Sequence, residues 1–567
     1  MSARKIPGEP NAIVLAAQRA VLRTSGGRLR VLWAAAYELL ARAAAVYLRA
    51  GRRSAAVYLR GSLGKGEPIY GSADIDLAMA VPGEPARPGV ARRRAHQRWR
   101  ALIERLPWIG SLVELGIYEV DELHRAAAET ALTKRAAHHP DRRYADEAGL
   151  RLRPGLGGAT SDWRRIGGPE LRPTLSQPPR HLSAWLELQW WWRLCFDACL
   201  DPGRPHVPYL CLKLITQSAR VRLWLEQEEV LSGHADVLER SLATMPDEED
   251  ALRRAAGLRQ ELPRSPDPPL ADAAGFLLRT TDRVAAFLSE ESAAEGGTEV
   301  LLRGETPLGE LMLTPAMRSS VGALEERFGA RLFPLADWRA RTPDPLWLAG
   351  RVDPLLADEG LALVAADPAD PFLLRTLAAL SRSGVRPALR QGPLIVLPSA
   401  SFFDWIHRAV QFEYSDPVSF AVLEGRASAT FPALDGWSAA DCARRAVAAH
   451  ALWLERFPRT DPAEAGIALG LLLGAARAAL FQQSLDRSEP ELALTVAATA
   501  NRLAAEQPGS AGLLDEAIAA YRVWREGGPE PDVGGVIALR RLIEGLPAYD
   551  SSVRPAIRGT PAQVAPQ

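Results

Sequence analysis

Apolar residues recur three and four positions apart from Asn11 to Arg52, with a break at Ser25-Gly26-Gly27, and this spacing predicts two helices. A short apolar run at Ala55 to Arg60 (AAVYLR) predicts a strand that stops at Gly61-Ser62. A second strand is predicted at Asp74 to Val81 (DIDLAMAV), a helix at Val90 to Leu106 and a third strand at Ser111 to Val120 (SLVELGIYEV). The order strand, strand, helix, strand implies a small mixed sheet covered by helices. Residues 134–180 are rich in Arg, Gly and Pro and predict irregular strands and loops. From His181 the period becomes helical, over His181 to Cys199, Pro208 to Glu229 and on to about Glu291. Glu291 to Gly297 reads as a linker. Strands and helices alternate again over Thr298 to Ala400, with LALVAA (361–366) and PLIVLP (393–398) as the clearest strands. Ser401 to about Glu526 reads as helical, and the polar tail from Tyr549 carries several prolines and reads as disordered.

The expected fold class is therefore α/β plus α, in four parts and a tail. Residues 1–180 form the small mixed-sheet domain with its N-terminal helices, 181–295 a helical domain, 296–400 a second α/β segment, 401–548 a C-terminal helical domain and 549–567 the tail. The length of 567 residues is ample for several cores. Lys+Arg and Asp+Glu are both 68, so the net charge is zero, which argues against nucleic acid held by bulk charge. The N-terminus lacks a hydrophobic signal segment, and the apolar run Ala465 to Ala476 is too short for a bilayer, so a cytoplasmic protein with no membrane partner is expected. The four cysteines, Cys195, Cys199, Cys211 and Cys442, show no metal-type pairing. Lysine occurs only at Lys5, Lys65, Lys134 and Lys213, which makes each one an informative letter, because a guanidinium fork does not always fit where a compact ammonium does.

The chemistry concentrates in YLRGSLGKGEPIYGSADIDLAMAV, Tyr58 to Val81. Side chains alternate along a strand, so Asp74 and Asp76 share a face while Ile75 and Leu77 take the other. Two adjacent carboxylates repel, and a hard divalent cation such as Mg²⁺ resolves that cost with oxygen ligands. Gly61 ends the preceding strand at a turn where backbone N–H groups can approach phosphate oxygens, and Ser62 adds a hydroxyl.

The Gly-Ser turn followed by Asp-x-Asp resembles the nucleotidyltransferase superfamily that includes the DNA polymerase beta-like enzymes. GSLGKGEPIYGSADIDL is most similar to its aminoglycoside and minimal nucleotidyltransferase branch. The spacing is slightly long, with eleven residues between Ser62 and Asp74, and Gly71-Ser72-Ala73 departs from the usual approach to the first Asp. The resemblance covers at most residues 11 to about 290. It implies that residues 1–180 are the catalytic domain and that 181–295 complete its cleft. It further implies that Asp74 and Asp76 bind Mg²⁺ and that Gly61, Ser62, Lys65 and Ser72 hold a nucleoside triphosphate, with ATP the expected one. A third carboxylate is expected on the next strand. Glu114 is chosen because its neighbours Val113 and Leu115 are apolar, with Glu119, Asp121 or no third ligand left open. In PYLCLKLITQSARVRLWLEQ (208–227), Lys213, Gln217, Arg220 and Trp224 form one helical stripe, and Lys213 is the candidate phosphate ligand from the helical domain. The implied activity is transfer of a nucleoside monophosphate to a hydroxyl of an unidentified acceptor with release of pyrophosphate. Two other classes remain open: a nucleotide-binding regulatory protein without turnover, and a nucleic-acid nucleotidyltransferase.

Overall fold

A computed structural model of the chain describes residues 12–84, 89–121, 163–172, 206–231, 233–261, 270–295 and 298–303. It also describes the strands at 331–333, 346–352, 359–365, 394–397 and 426–431, residues 465–487, 510–525 and 528–546, and isolated helical positions between 184 and 198 and between 444 and 454. The chain is mixed α and β, mostly helical over these residues, with a small four-stranded mixed sheet near its N-terminus.

The two N-terminal helices are α1 (Ala12–Thr24) and α2 (Arg30–Arg49), parted at the Gly-containing turn. The α2 helix buries Tyr37, Ala41, Ala44, Ala45 and Leu48, one side of a 3.6-residue period. Then come β1 (Ala56–Arg60), a single helical turn α3 (Gly61–Gly64), β2 (Ile75–Val81), α4 (Val90–Arg105), α5 (Pro107–Leu112) and β3 (Val113–Glu119). The fourth strand, β4 (Arg164–Gly167), lies in the stretch expected to be irregular, and the sheet order is β3-β2-β1-β4. The β1 strand is antiparallel to β2 and β4, while β2 and β3 are parallel, as a helical crossover through α4 allows.

Register sorts the residues onto two faces. Val57, Leu59, Ile75, Leu77, Met79, Val81, Val113, Leu115 and Ile117 are buried in a core shared with Ala41, Leu48, Ala95 and Trp99 of α2 and α4. The opposite parity puts Tyr58, Arg60, Asp76, Ala78, Glu114, Gly116 and Tyr118 on the other face. There Trp163 packs on Tyr58 and Tyr118, with ring centroids 5.6 and 5.9 Å apart. Gly71 has φ +89°, and a Cβ there would run into the backbone of α1 at Gln18 and Leu22; its N–H donates to the Tyr37 hydroxyl at 3.0 Å. The approach to Asp74 is thus held by both N-terminal helices.

The helical region contains α6 (Val207–Gln227), α7 (His234–Thr244), α8 (Glu249–Glu261) and α9 (Leu270–Glu295). The α6 helix starts with Pro208 in its first turn and ends where Glu228 takes a left-handed φ of 57°. It is buried on nearly every side by α7, α8 and α9. The α9 helix runs to Glu295, so Glu291 to Glu295, expected as linker, is helix. Trp191, of the Trp190-Trp191-Trp192 run, is buried in the same core, its ring N–H bonded to Glu187 at 2.9 Å.

Beyond residue 297, β5 (Thr298–Arg303) pairs antiparallel with β10 (Arg426–Phe431). A second four-stranded sheet has the order β6-β7-β8-β9, from Arg331–Phe333, Leu346–Val352, Glu359–Ala365 and Leu394–Leu397. The strand at Arg426–Phe431 differs from the all-helical reading of that stretch, and its pairing crosses the boundary expected at residue 400. The pattern RASATF alternates polar and apolar over too few residues, with Thr430 its one β-branched side chain, to outweigh its helical surroundings. Helices α10 (Ala465–Asp486), α11 (Ser510–Arg525) and α12 (Val533–Glu544) pack on one another, with Tyr521 and Trp524 of α11 over Gly470 and Gly466 of α10. The tail from Tyr549 lies outside the described residues.

Candidate active site

The register of the first sheet brings Arg60, Asp76 and Glu114 directly abreast on three adjacent strands. Asp74 precedes β2 by one residue, in the parity of Asp76. One carboxylate oxygen from each of Asp74, Asp76 and Glu114 lies within 4.8 Å of those of the other two, and all three residues retain some exposure. Glu119, the alternative third carboxylate, is buried elsewhere: it accepts hydrogen bonds from the backbone N–H groups of Gly89 (2.9 Å) and Arg92 (3.3 Å), and so caps the start of α4.

Crowding of three carboxylates has an electrostatic signature. Burial, then Asp74 and Glu114, push the Asp76 carboxyl up to about 7, with Arg60 and Lys213 opposing. Arg60 is the internal countercharge. Its side chain is 14% exposed and reaches Glu114 at 3.4 Å. Burial works against its charge, but the Tyr118 phenol and the carboxylates of Asp76, Glu114 and Asp74 outweigh that and raise it above the usual guanidinium range. One guanidinium against three carboxylates leaves negative charge over, concentrated where oxygen ligands converge, as a hard divalent cation requires.

The turn after β1 fits closely against this cluster. Gly61 has φ +64°, and a Cβ on it would overlap the Asp76 carboxylate. Only glycine tolerates both the backbone conformation and the approach. Ser62 follows, 7% exposed, and its Oγ is buried with no hydrogen-bond partner among the described residues. A buried hydroxyl without a partner costs roughly 1–3 kcal/mol and favours a ligand that supplies one. The Lys65 N–H closes the turn on Gly61 O at 3.2 Å, and the Ser72 N–H bonds to Ile69 O at 3.0 Å just before Asp74.

The helical region meets the site through α6 and the start of α7. Lys213 is half-buried on α6, its Nζ 4.5 Å from the centre of the Tyr209 ring, and it is close enough to draw down the Asp76 carboxyl. On the same stripe Gln217 accepts from Arg220 at 3.2 Å. His234, first residue of α7, is buried with Nδ1 2.7 Å from Thr216 Oγ1. Burial, then Lys213, Lys65, Arg259 and Arg220, hold its imidazole down to about 3, so it is neutral at physiological pH. Its backbone N–H donates to Glu67 at 2.7 Å, and Glu67 also meets the Ala235 N–H and Arg259, both at 3.4 Å. Glu67 thus ties the glycine-rich loop to the helical region.

Every residue expected from the sequence to bind metal or nucleotide lies in the first sheet, its loop or α6. Asp74, Asp76 and Glu114 converge; Gly61 touches Asp76; Lys65 and Lys213 are both near His234. Ser72 is half-buried in the turn before Asp74. Sequence reasoning missed Arg60, Glu67, His234 and Arg259. The parity of Arg60 with Asp76 was a usable signal once strand register is known; Glu67 and Arg259, 192 positions apart, carried none. Comparison with protein-family models, with curated proteins and with solved structures returns no match.

Proposed function

We propose that the chain is a Mg²⁺-dependent nucleotidyltransferase that moves a nucleoside monophosphate, AMP from ATP as the expected case, to a hydroxyl of an acceptor molecule. The carrying observation is the convergence of Asp74, Asp76 and Glu114 beside a glycine that admits no side chain and a buried serine hydroxyl without a partner. In this reading residues 1–180 are the catalytic domain, with the helical region to 295 closing the cleft.

The residues present fit the metal: three hard oxygen donors, incompletely neutralised by Arg60. Asp74, Asp76 and Glu114 would hold Mg²⁺, which when bound supplies Lewis-acid charge to the α-phosphate and to the departing pyrophosphate. The chain's own groups do the rest. Gly61 leaves room for phosphate against the β1–α3 turn, and the Ser62 hydroxyl donates to a phosphate oxygen. Lys65, Ser72 and Lys213 belong to the nucleotide site, with the two ammonium groups balancing the charge of the β- and γ-phosphates. The acceptor oxygen forms its bond to the α-phosphorus as the bond to the bridging α–β oxygen breaks, and its proton passes to a carboxylate of the cluster. Products are the nucleotidylated acceptor and pyrophosphate.

The supporting test is Mg²⁺-dependent pyrophosphate release in the presence of cell extract as acceptor source. Wild type is expected to release it, and Asp74→Asn and Asp76→Asn to lose at least two orders of magnitude while keeping the wild-type circular dichroism spectrum. Turnover by either variant at the wild-type rate removes the metal role and the proposal with it.

A further inference from the structure

The loop that carries Ser62 and Lys65 is closed on itself by its backbone. The Lys65 N–H bonds to Gly61 O and the Gly66 N–H to Leu63 O, both at 3.2 Å, and the Glu67 N–H bonds to Ser62 O at 2.9 Å. The Glu67 backbone therefore fixes Ser62, while its side chain leaves the loop for the start of α7. The N-cap of that helix is Gly233, in extended conformation and with no side chain to meet the unpaired N–H groups of the first turn. Glu67 supplies the missing cap from 167 positions away. Its Oε2 accepts from the His234 N–H at 2.7 Å and its Oε1 from the Ala235 N–H at 3.4 Å, and Arg259 of α8 reaches Oε1 at 3.4 Å. The carboxylate, 15% exposed, thus meets two N–H donors, the positive end of a helix dipole and a guanidinium.

The same first turn of α7 also holds the wall that carries Lys213. Thr216 Oγ1 donates its one hydrogen to Leu212 O at 2.9 Å, so it accepts from His234 Nδ1 at 2.7 Å. The His234 ring meets Tyr209 edge-on, with centroids 6.2 Å apart, and Lys213 Nζ lies over that Tyr209 ring at 4.5 Å. His234 joins the two contacts: its backbone belongs to Glu67 and its ring to the α6 turn under Lys213.

We propose that Glu67 is a positioning residue for the triphosphate, setting the distance between the Ser62–Lys65 side of the cleft and Lys213 on the opposite wall. This rests on the nucleotidyltransferase reading and adds to it how the two walls are kept in register. Glu67 does not itself touch phosphate, since a carboxylate repels it. It acts on groups that do, through its backbone on Ser62 and through α7 on Lys213. The glycine-rich loop and the start of α7 therefore move as one piece, and a nucleotide that binds one wall finds the other already placed.

Calorimetric titration of the full chain with ATP in Mg²⁺, and with Mg²⁺ alone, tests this. Glu67→Ala is expected to weaken ATP binding about tenfold, the size of a coupling carried through packed groups, and to leave Mg²⁺ binding unchanged. Glu67→Gln keeps an oxygen for the His234 N–H but has no charge for Arg259. It is expected to fold as wild type and to lose about threefold, which keeps the test open should Glu67→Ala not fold. Because Glu67 acts partly through Lys213, the Glu67→Ala/Lys213→Ala protein is expected to lose less than the product of the two single losses. A residue that only stabilises the fold gives losses that multiply. Wild-type ATP affinity in the Glu67 variants, multiplying losses in the double variant, or loss of Mg²⁺ binding together with ATP binding would each overturn the positioning role and leave the nucleotidyltransferase reading standing. A wild type that binds no ATP in Mg²⁺ overturns that reading, and this proposal with it.

Discussion

At the scale of single residues, the site is a balance of charge, and each member has a distinct expected effect. Removing one carboxylate from a cluster of three relieves repulsion in the metal-free protein. Asp76→Asn should therefore melt at or above the wild-type temperature without metal, and should lack the rise in melting temperature expected of the wild type with Mg²⁺. Calorimetry with and without Mg²⁺ checks this, and an Asp76→Asn protein still stabilised by Mg²⁺ would place the ion elsewhere. Lys213 lies across from Asp76 on α6, in a chain that almost never uses lysine. Losing one charge-assisted hydrogen bond to phosphate costs roughly 1.5–3 kcal/mol, so Lys213→Ala should weaken ATP binding or turnover by about ten- to a hundredfold, with Lys213→Arg a partial rescue. Calorimetric ATP titration in Mg²⁺ measures it; unchanged affinity and turnover would reduce Lys213 to a packing residue over Tyr209. Asp74 and Asp76 were legible in the sequence because strand parity alone puts them together. Arg60 was not, since its role depends on β1 pairing with β2 in the register Arg60 to Asp76.

At the scale of elements, the two glutamates of β3 show what sequence left open. They are five positions apart on one strand and so differ in parity, but parity alone does not say which face bears the site. The register of β3 against β2 decides it, with Glu114 abreast of Asp76 and Glu119 at the far end capping α4. Glu119→Ala should cost about 1–2 kcal/mol of folding free energy, as loss of a helix cap does. Glu114→Ala should leave stability near wild type and weaken Mg²⁺ binding. Urea denaturation of both variants separates the roles. The junction of α6 and α7 carries a pH dependence. His234 is neutral in the fold down to about pH 3 but takes up a proton near 6.5 when unfolded. Between those values the unfolded chain binds more protons, so His234 makes stability fall as pH drops from about 6.5. In His234→Asn that component should vanish, and melting curves from pH 7.5 to 5 should lie closer together than those of wild type; an identical spread would mean that His234 is not held neutral.

At the scale of the whole molecule, the first half was read well because its elements are long, periodic and local. The helices α1, α2, α4 and α6 and the strands β1, β2 and β3 lie within a few residues of the expected ranges. What was left open or escaped was non-local or short: the place of β4, set by pairing with β1 across a hundred residues, within a stretch expected only as irregular strands and loops; the strand at Arg426–Phe431, set by pairing with Thr298–Arg303; and the helical end of α9 through Glu295. The core uniting the first sheet with the helices to α9 draws on residues from Tyr37 to Val284. A fragment of residues 1–295 is therefore expected to unfold cooperatively and to respond to Mg²⁺ as the full chain does. The central claim is that the α-phosphate is the group transferred. The most direct measurement incubates the protein and cell extract with ATP labelled at the α-phosphate or, in parallel, at the γ-phosphate. Covalent labelling of an acceptor from the α-label alone, dependent on Mg²⁺ and absent in Asp76→Asn, is the predicted result. Transfer of the γ-label, or labelling that persists in Asp76→Asn, would contradict it.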